Sequence, residues 1–481
     1  MLFSSITFLY FFLPLVILLY FFVPQKGRNL VLFAVSILFY AWGEPVYVFL
    51  MLAQIVASYV LVWLMDSFRQ KRMGRIFYIL SVLLPFAALF YFKYFYFFAG
   101  TIFHLDVKAV PLPIGISFYT FQIVSYCVDV YDRKVKRQKN FITYAAYVTL
   151  FPQLVAGPIV RYSDIDQTLI KGTGFSDMHV NFERGAVRFA VGLGKKVLVA
   201  NVLGEFVAEV AALGQRNLVL SWAYAAAVSL QIYFDFSGYS DMAIGLGSIL
   251  GFSFPENFRY PFIAKSVSEF WRRWHMTLGA WFRDYVYIPM GGNRVSMSRW
   301  IWNILVVWLF TGLWHGAGWN FIAWGLLFAV LLVFEKAVAR LCGSTVRLPA
   351  FLTFFLRHAY LIFIVLISFL VFHNESLSGA VSDIQALFSC GGRIAAGAGE
   401  TDRMVWTYLL RNRMVILVAG IVGSTPLPIW LWTRVQERFK TCKAGEAAIH
   451  VARGFLTVGL LLLCTAYLID GSFNPFLYFR F

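Results

Sequence analysis

The sequence predicts an all-α protein that crosses a membrane about twelve times, and three observations predict it. Of its 481 residues 60% are hydrophobic, 19% aromatic and only 14% charged, with a mean hydropathy of +0.71. That leaves too little polar material to solvate a globular surface. Apolar runs near the ~20 residues that span a hydrocarbon core recur along its length. Lysine and arginine, which give a net charge of +17, fall in short loops between those runs, where they act as topology signals. A nucleic-acid partner is therefore not expected.

Taken in order, spans are expected near Phe3 to Val23, Asn29 to Trp42, Val46 to Met65, Ile76 to Phe98, Ile114 to Val130, Val187 to Ala212, Leu218 to Phe236, Arg299 to Leu313, Trp319 to Phe334, Phe351 to Phe372, Met414 to Trp432 and Gly454 to Ile469. The first lacks a basic leader and a small-residue cleavage site, so it is expected to be retained. Tyr144 to Val160 is apolar but interrupted by Pro152 and Pro158. It reads as a re-entrant segment, because broken backbone survives at membrane depth only when buried in protein or lining a cavity.

The basic loops orient this map. Lys26 and Arg28 follow the first span, Arg69, Lys71, Arg72 and Arg75 the third, and Arg133, Lys134, Lys136, Arg137 and Lys139 the fifth. Positive-inside bias makes those alternate loops cytoplasmic. The basic stretch from Arg259 to Arg299 shares that side, and both termini face outward, as in a multi-pass protein of the bacterial inner membrane with periplasmic ends. No internal repeat or soluble domain is visible, so residues 1–481 read as one integral-membrane domain. Five cysteines are scattered singly, which suggests neither a disulfide framework nor a metal site.

Chemistry concentrates between Asp235 and Asn320. Ser268-Glu269-Phe270-Trp271-Arg272-Arg273-Trp274-His275 and Trp281-Phe282-Arg283-Asp284-Tyr285 interleave aromatic and basic residues at helical spacing. This suits an amphipathic helix lying at the interface with tryptophan and arginine at headgroup depth. Such a helix serves as a simple anchor, or it carries a functional His275. Further on, Gly312-Leu313-Trp314-His315-Gly316-Ala317-Gly318-Trp319-Asn320 separates apolar runs of about 15 residues, each covering about 22 Å against a core of ~30 Å. The apex with His315 should then lie inside the membrane, where an ionisable group marks a functional site by default. The plainer alternative is a histidine that bonds one helix to another. Gly312, Gly316 and Gly318 are expected to leave room for a substrate chain and for close backbone approach. Asp235 and Asp241 read as structurally paired carboxylates, and Lys93 as a snorkelling cation.

These residues carry a resemblance. The Trp-His-Gly apex downstream of an Arg-Trp-His segment resembles the membrane-bound O-acyltransferase (MBOAT) superfamily. Phe151-Pro152-Gln153-Leu154-Val155-Ala156-Gly157-Pro158, Tyr233-Phe234-Asp235-Phe236-Ser237-Gly238-Tyr239-Ser240-Asp241 and the block from Pro255 to Arg294 look like its branch that O-acetylates alginate and peptidoglycan. The D-alanylating branch that modifies teichoic acids is similar too. The resemblance implies a helical bundle with re-entrant and interfacial helices around a central funnel, with a catalytic core at about 110–335.

It also implies that His315 is the catalytic base and His275 an assisting group. The donor would be acetyl-CoA or another acyl thioester from the cytoplasm, with no permanently bound cofactor. Arg272, Arg273 and Arg283 could hold its phosphates, though they suit anionic lipid equally; Trp314, Asn320 and Asp284 are further candidate donor- or substrate-binding positions. No Gly-x-Ser-x-Gly elbow or P-loop is present.

The chain has no sizeable outer domain to bind glycan, so a periplasmic SGNH-type O-acetyltransferase is the expected partner. The tail Phe473-Asn474-Pro475-Phe476-Leu477-Tyr478-Phe479-Arg480-Phe481 is an aromatic interfacial anchor, or Tyr478 is an acyl relay of the kind attributed to accessory peptides in the D-alanylating relatives. An acyltransferase acting on a lipid, a protein or teichoic acid is the nearest alternative. A transporter is the more distant one, since it would not need the Trp-His-Gly apex.

Overall fold

In the computed structural model all residues are described except 109, 173–174, 214–215, 343–348, 389–399, 440–442, 472–473 and 475–481. Every regular element among the described residues is helical, as backbone in lipid requires when no closed barrel is formed. Seven helices among the described residues are long and apolar enough to span: Tyr47–Ser67, Arg72–Thr101, Leu218–Ile249, Trp319–Leu341, Phe351–His373, Arg403–Gly423 and Ala444–Asp470. Their outward faces carry large apolar side chains such as Leu83, Val415 and Phe455, the last two more than 70% exposed. Lipid, not water, is the solvent that such surfaces match.

Among the described residues these seven do not confirm the expected count of about twelve, and the differences have local causes. Phe8–Phe22, Arg28–Gly43 and Ile116–Tyr131 are helical but short. The expected span Met414 to Trp432 crosses a real break: one helix ends at Gly423 and another begins at Leu427, because Pro426 cannot continue the ladder. The expected span Val187 to Ala212 is three joined pieces, Phe175–Gly194, the π-helical turn Lys195–Asn201 and Val202–Ala211.

The chain divides into two compact units, Met1–Leu193 with Tyr239–Glu256, and Gly194–Gly238 with Asn257–Phe481. The first has an aromatic centre in which Phe3, Phe8, Phe12, Phe39 and Phe151 pack ring against ring. The proline-broken stretch lies in this unit, as the helices Phe141–Thr149 and Phe151–Leu154, and residues 143–160 are buried. Side chains satisfy the backbone that the break frees. Ser36 Oγ accepts the Phe151 amide at 3.1 Å, and Gln153 Nε2 donates to the Tyr147 carbonyl at 2.8 Å.

Asp241 and Glu256 both hold Arg188, at 2.8 and 2.5 Å, so Asp241 is paired as expected. Lys93 does not snorkel. It is buried in the π-helical turn Phe90–Phe95, 3.3 Å from Ser117 Oγ, because protein rather than lipid surrounds that face. In the second unit Asp235 meets Lys196 at 2.5 Å, with both side chains almost wholly buried. Helices from Val202 to Leu417 supply this unit's core, in which Phe206, Trp274, Trp324, Phe328 and Phe369 are buried.

Candidate active site

Two local devices place the histidines, both within the second unit. Ser266 accepts the Glu269 amide at 3.0 Å and Glu269 accepts the Lys265 amide at 3.0 Å, a reciprocal cap that starts the helix Val267–Trp271. Glu335, on the helix Trp319–Cys342, accepts the amides of Val267 (2.6 Å) and Ser268 (3.0 Å). The short helix is thus fastened to the one that follows the apex. It stops after Trp271, and His275 takes a left-handed conformation (φ 43°, ψ 50°) ahead of the helix Met276–Phe282.

A side chain in that region costs on the order of 1–2 kcal/mol. Two backbone bonds hold it there: the Met276 amide donates to the Asn257 carbonyl at 3.0 Å, and the Gly279 amide to the His275 carbonyl at 3.1 Å. The continuous amphipathic helix expected here is therefore broken where the histidine sits. Trp274 and Trp281 are buried in protein, not held at headgroup depth.

His315 ends the helix Met297–His315, and Gly316 is extended. A β-carbon on Gly312 would collide with the Phe321 carbonyl, one on Gly325 with the Trp308 carbonyl, and one on Gly316 with the Phe321 ring. These glycines let the two apex helices meet backbone to backbone. Of the two roles expected of them, close backbone approach holds at Gly312, while the space beside Gly312 and Gly316 is taken by Phe321 and not left to a substrate chain.

The two imidazoles share one aromatic box. His275 and His315 are 1% and 4% exposed, and their ring centroids are 6.3 Å apart at 63°. Trp314 packs against both, 5.6 Å from His275 and 5.1 Å from His315. Phe236 stands edge-on to His275 at 4.7 Å, while Trp324 and Phe372 stand edge-on to His315 at 5.0 and 5.2 Å. The spacing lets both rings reach one small polar group placed between them, within the ~3 Å that proton transfer needs.

Of the residues nominated from sequence, the structure brings His275, His315 and Trp314 together. Asn320 is buried and braces the apex by donating to the Asn374 carbonyl at 2.8 Å. Arg273 pairs with Glu269 at 2.8 Å and donates to the Arg259 carbonyl at 3.2 Å; Arg283 pairs with Asp284 at 2.6 Å, and Arg272 is exposed. Tyr478 lies outside the described residues. Sequence reasoning missed Asn257, which bonds His275, Thr277, which bonds the same Asn257 oxygen, and Lys196, whose charge inside an apolar run was the signal that could have found it.

Burial, with His315 beside it, holds the His275 imidazole well below its ordinary range, so the folded protein keeps it neutral. The unfolded chain takes up a proton there once pH falls below about 6.5. Stability contributed by the neutral ring is therefore complete above that value and lost below it, by at most about 1.4 kcal/mol per pH unit. The thermal midpoint of detergent-purified protein should fall between about pH 6.5 and 5. A His275→Asn variant, which tolerates the left-handed turn, should show a shallower fall; identical slopes would remove His275 as its source.

Residues 131–382 match MBOAT, the membrane-bound O-acyltransferase family, and that stretch contains both histidines. The chain belongs to this family. It is 35% identical, over the full length of both chains, to the probable alginate O-acetylase AlgI of Azotobacter vinelandii. It is 33% identical to the peptidoglycan O-acetyltransferase of Helicobacter pylori, over 70% of this chain and 71% of that one. A teichoic acid D-alanyltransferase of Bacillus subtilis is 30% identical over 46% of this chain and 60% of its own. This MBOAT protein is thus an acyltransferase and a multi-pass membrane protein, and the box around His275 and His315 is its candidate active site.

Proposed function

We propose that this MBOAT protein takes an acetyl group from a cytoplasmic thioester such as acetyl-CoA and passes it across the inner membrane for O-acetylation of an extracytoplasmic polysaccharide. The observation that carries the reading is full-length similarity to an alginate O-acetylase, joined to two buried histidines in one box. His315 takes the proton of the attacking hydroxyl as its oxygen bonds to the acetyl carbonyl carbon. The C–S bond then breaks, and the leaving thiolate receives a proton. A positioned base of this kind contributes typically 10² to 10⁴-fold. His275 assists, Trp314 walls the reacting groups, and Arg272, Arg273 and Arg283 bind donor phosphates at the cytoplasmic face.

A periplasmic SGNH-type transferase completes delivery to the sugar. Deleting the gene should remove base-labile acetate from the polysaccharide, and the wild-type gene should restore it. Unchanged acetate content would point to a lipid or protein acceptor.

Tyr478 would carry the acyl group between donor and partner. A thiol of pKa about 8.5, a phenol of about 10 and a far less acidic sugar hydroxyl make each transfer downhill. Asn474, four residues earlier, accepts a hydrogen bond from Asn201 Nδ2 at 3.1 Å, which anchors the approach to the tail within the second unit. Tyr478→Phe keeps the ring and removes only the hydroxyl, so polysaccharide acetylation should be lost. Wild-type acetylation in that variant makes the tail an anchor.

Periplasmic termini follow from the basic loops. A cysteine at Ser472 should react with an impermeant thiol reagent on intact spheroplasts, and one at Lys136 only after lysis. The reverse pattern would invert the direction of transfer.

A further inference from the structure

We infer that Asn257 is a positioning residue that fixes His275 as the tautomer protonated on Nδ1, so that Nε2 offers a lone pair to the acyl-transfer site. The inference rests on the reading of this box as the site of acyl transfer, and it says how His275 assists. Three groups converge on one atom, Asn257 Oδ1: His275 Nδ1 at 3.1 Å, Thr277 Oγ1 at 2.9 Å and the Thr277 backbone amide at 3.4 Å.

A backbone amide can only donate, so the atom it meets is the amide oxygen and not the nitrogen. An amide oxygen can only accept, so the ring nitrogen facing it carries the proton. A neutral imidazole has one such proton, and Nε2 is consequently bare. Asn257 is fully buried, where no water competes for its oxygen. The same residue fixes the backbone of the site, its carbonyl accepting the Met276 amide at 3.0 Å. Side chain and main chain of one residue thus hold both the turn at His275 and the proton on its ring.

The consequence is chemical. A histidine protonated on Nδ1 cannot donate from Nε2 to an oxyanion in its neutral form; it accepts. His275 therefore orients the attacking hydroxyl by accepting its hydrogen bond, next to His315, which removes the proton. In serine proteases an incorrect tautomer alone costs about 10⁴-fold in kcat, and for an assisting group a loss of about 10- to 10²-fold is expected.

The test combines a spectrum with a rate. Protein labelled with 15N-histidine, compared with a His275→Asn sample to assign the signal, should show His275 with a protonated Nδ1 and an unprotonated Nε2. Asn257→Leu should lose that pattern and lower kcat for acetyl transfer by about 10- to 10²-fold with KM little changed. Asn257→Asp, which restores an acceptor, should recover the tautomer and most of the rate. Its carboxylate should also move the acidic limb of the pH profile upward, by favouring the charged ring.

The inference is overturned by a wild-type spectrum with the proton on Nε2, or by an Asn257→Leu enzyme with the wild-type kcat. It is equally overturned if Asn257→Asp fails to regain the tautomer, a measurement that does not need Asn257→Leu to fold. If wild-type protein transfers no acyl group while the spectrum is as expected, the functional reading fails and the tautomer stands.

Discussion

His315→Ala is expected to abolish polysaccharide acetylation while the protein stays in the membrane at wild-type abundance. The imidazole is the group best placed to take a proton, buried among Trp314, Trp324 and Phe372 at the end of an apex whose helices are locked backbone to backbone at Gly312 and Gly325. Its removal forfeits the 10² to 10⁴-fold that a positioned base supplies. The fold around it depends on the glycines and aromatic rings, so immunoblots of membranes should show normal amounts. Should alanine leave too open a box, His315→Gln preserves volume and must show the same loss of acetate. His275→Asn should lower the rate less, because it removes an assisting group only.

The second large effect concerns Lys196 and Asp235. Each side chain is nearly inaccessible and the pair is 2.5 Å apart, while Asp235 directly precedes Phe236, the ring that stands against His275. Removing one partner leaves the other charge buried and uncompensated, at a cost of about 3–5 kcal/mol. Lys196→Met alone should therefore lower the thermal midpoint sharply and reduce activity through Phe236. The double variant Lys196→Met with Asp235→Val replaces the pair by apolar side chains and should recover most of the midpoint, since such swaps are often neutral or better. A single variant as stable as wild type would show that the pair carries no weight. A double variant no better than the single would show that its role is not electrostatic.

Much of this site was legible in the sequence, for reasons that particular residues make plain. His315 stood out because an ionisable group lay at the junction of two short apolar runs, and depth in lipid alone makes that unusual. The paired state of Asp235 and Asp241 followed from the same rule. Their partners did not, because Lys196 and Arg188 are brought to them by tertiary packing across 39 and 53 positions (235 minus 196, 241 minus 188). The bound state of His275 was hidden likewise. Its left-handed turn depends on Asn257, and a pattern of helical spacing continues unbroken through it.

The glycines of the apex were legible only in part: absent side-chain volume foretells close backbone approach, but it looks the same whether a substrate or a neighbouring helix fills it. The expected spans differ from the helices where apolarity runs on through a turn, as at Pro426, and where runs of adequate composition fold as helices of 15 or 16 residues. Lys93 shows the same limit, since snorkelling presupposes a lipid-facing side chain.

Donor turnover by the purified enzyme tests the account most directly. Wild-type protein and His315→Ala, each in lipid nanodiscs, are given acetyl-CoA, and release of the free thiol is followed with and without a hydroxyl acceptor. Thiol release by wild type should rise with acceptor and fall by at least about 10²-fold in the variant. Equal release by the two proteins would contradict the account.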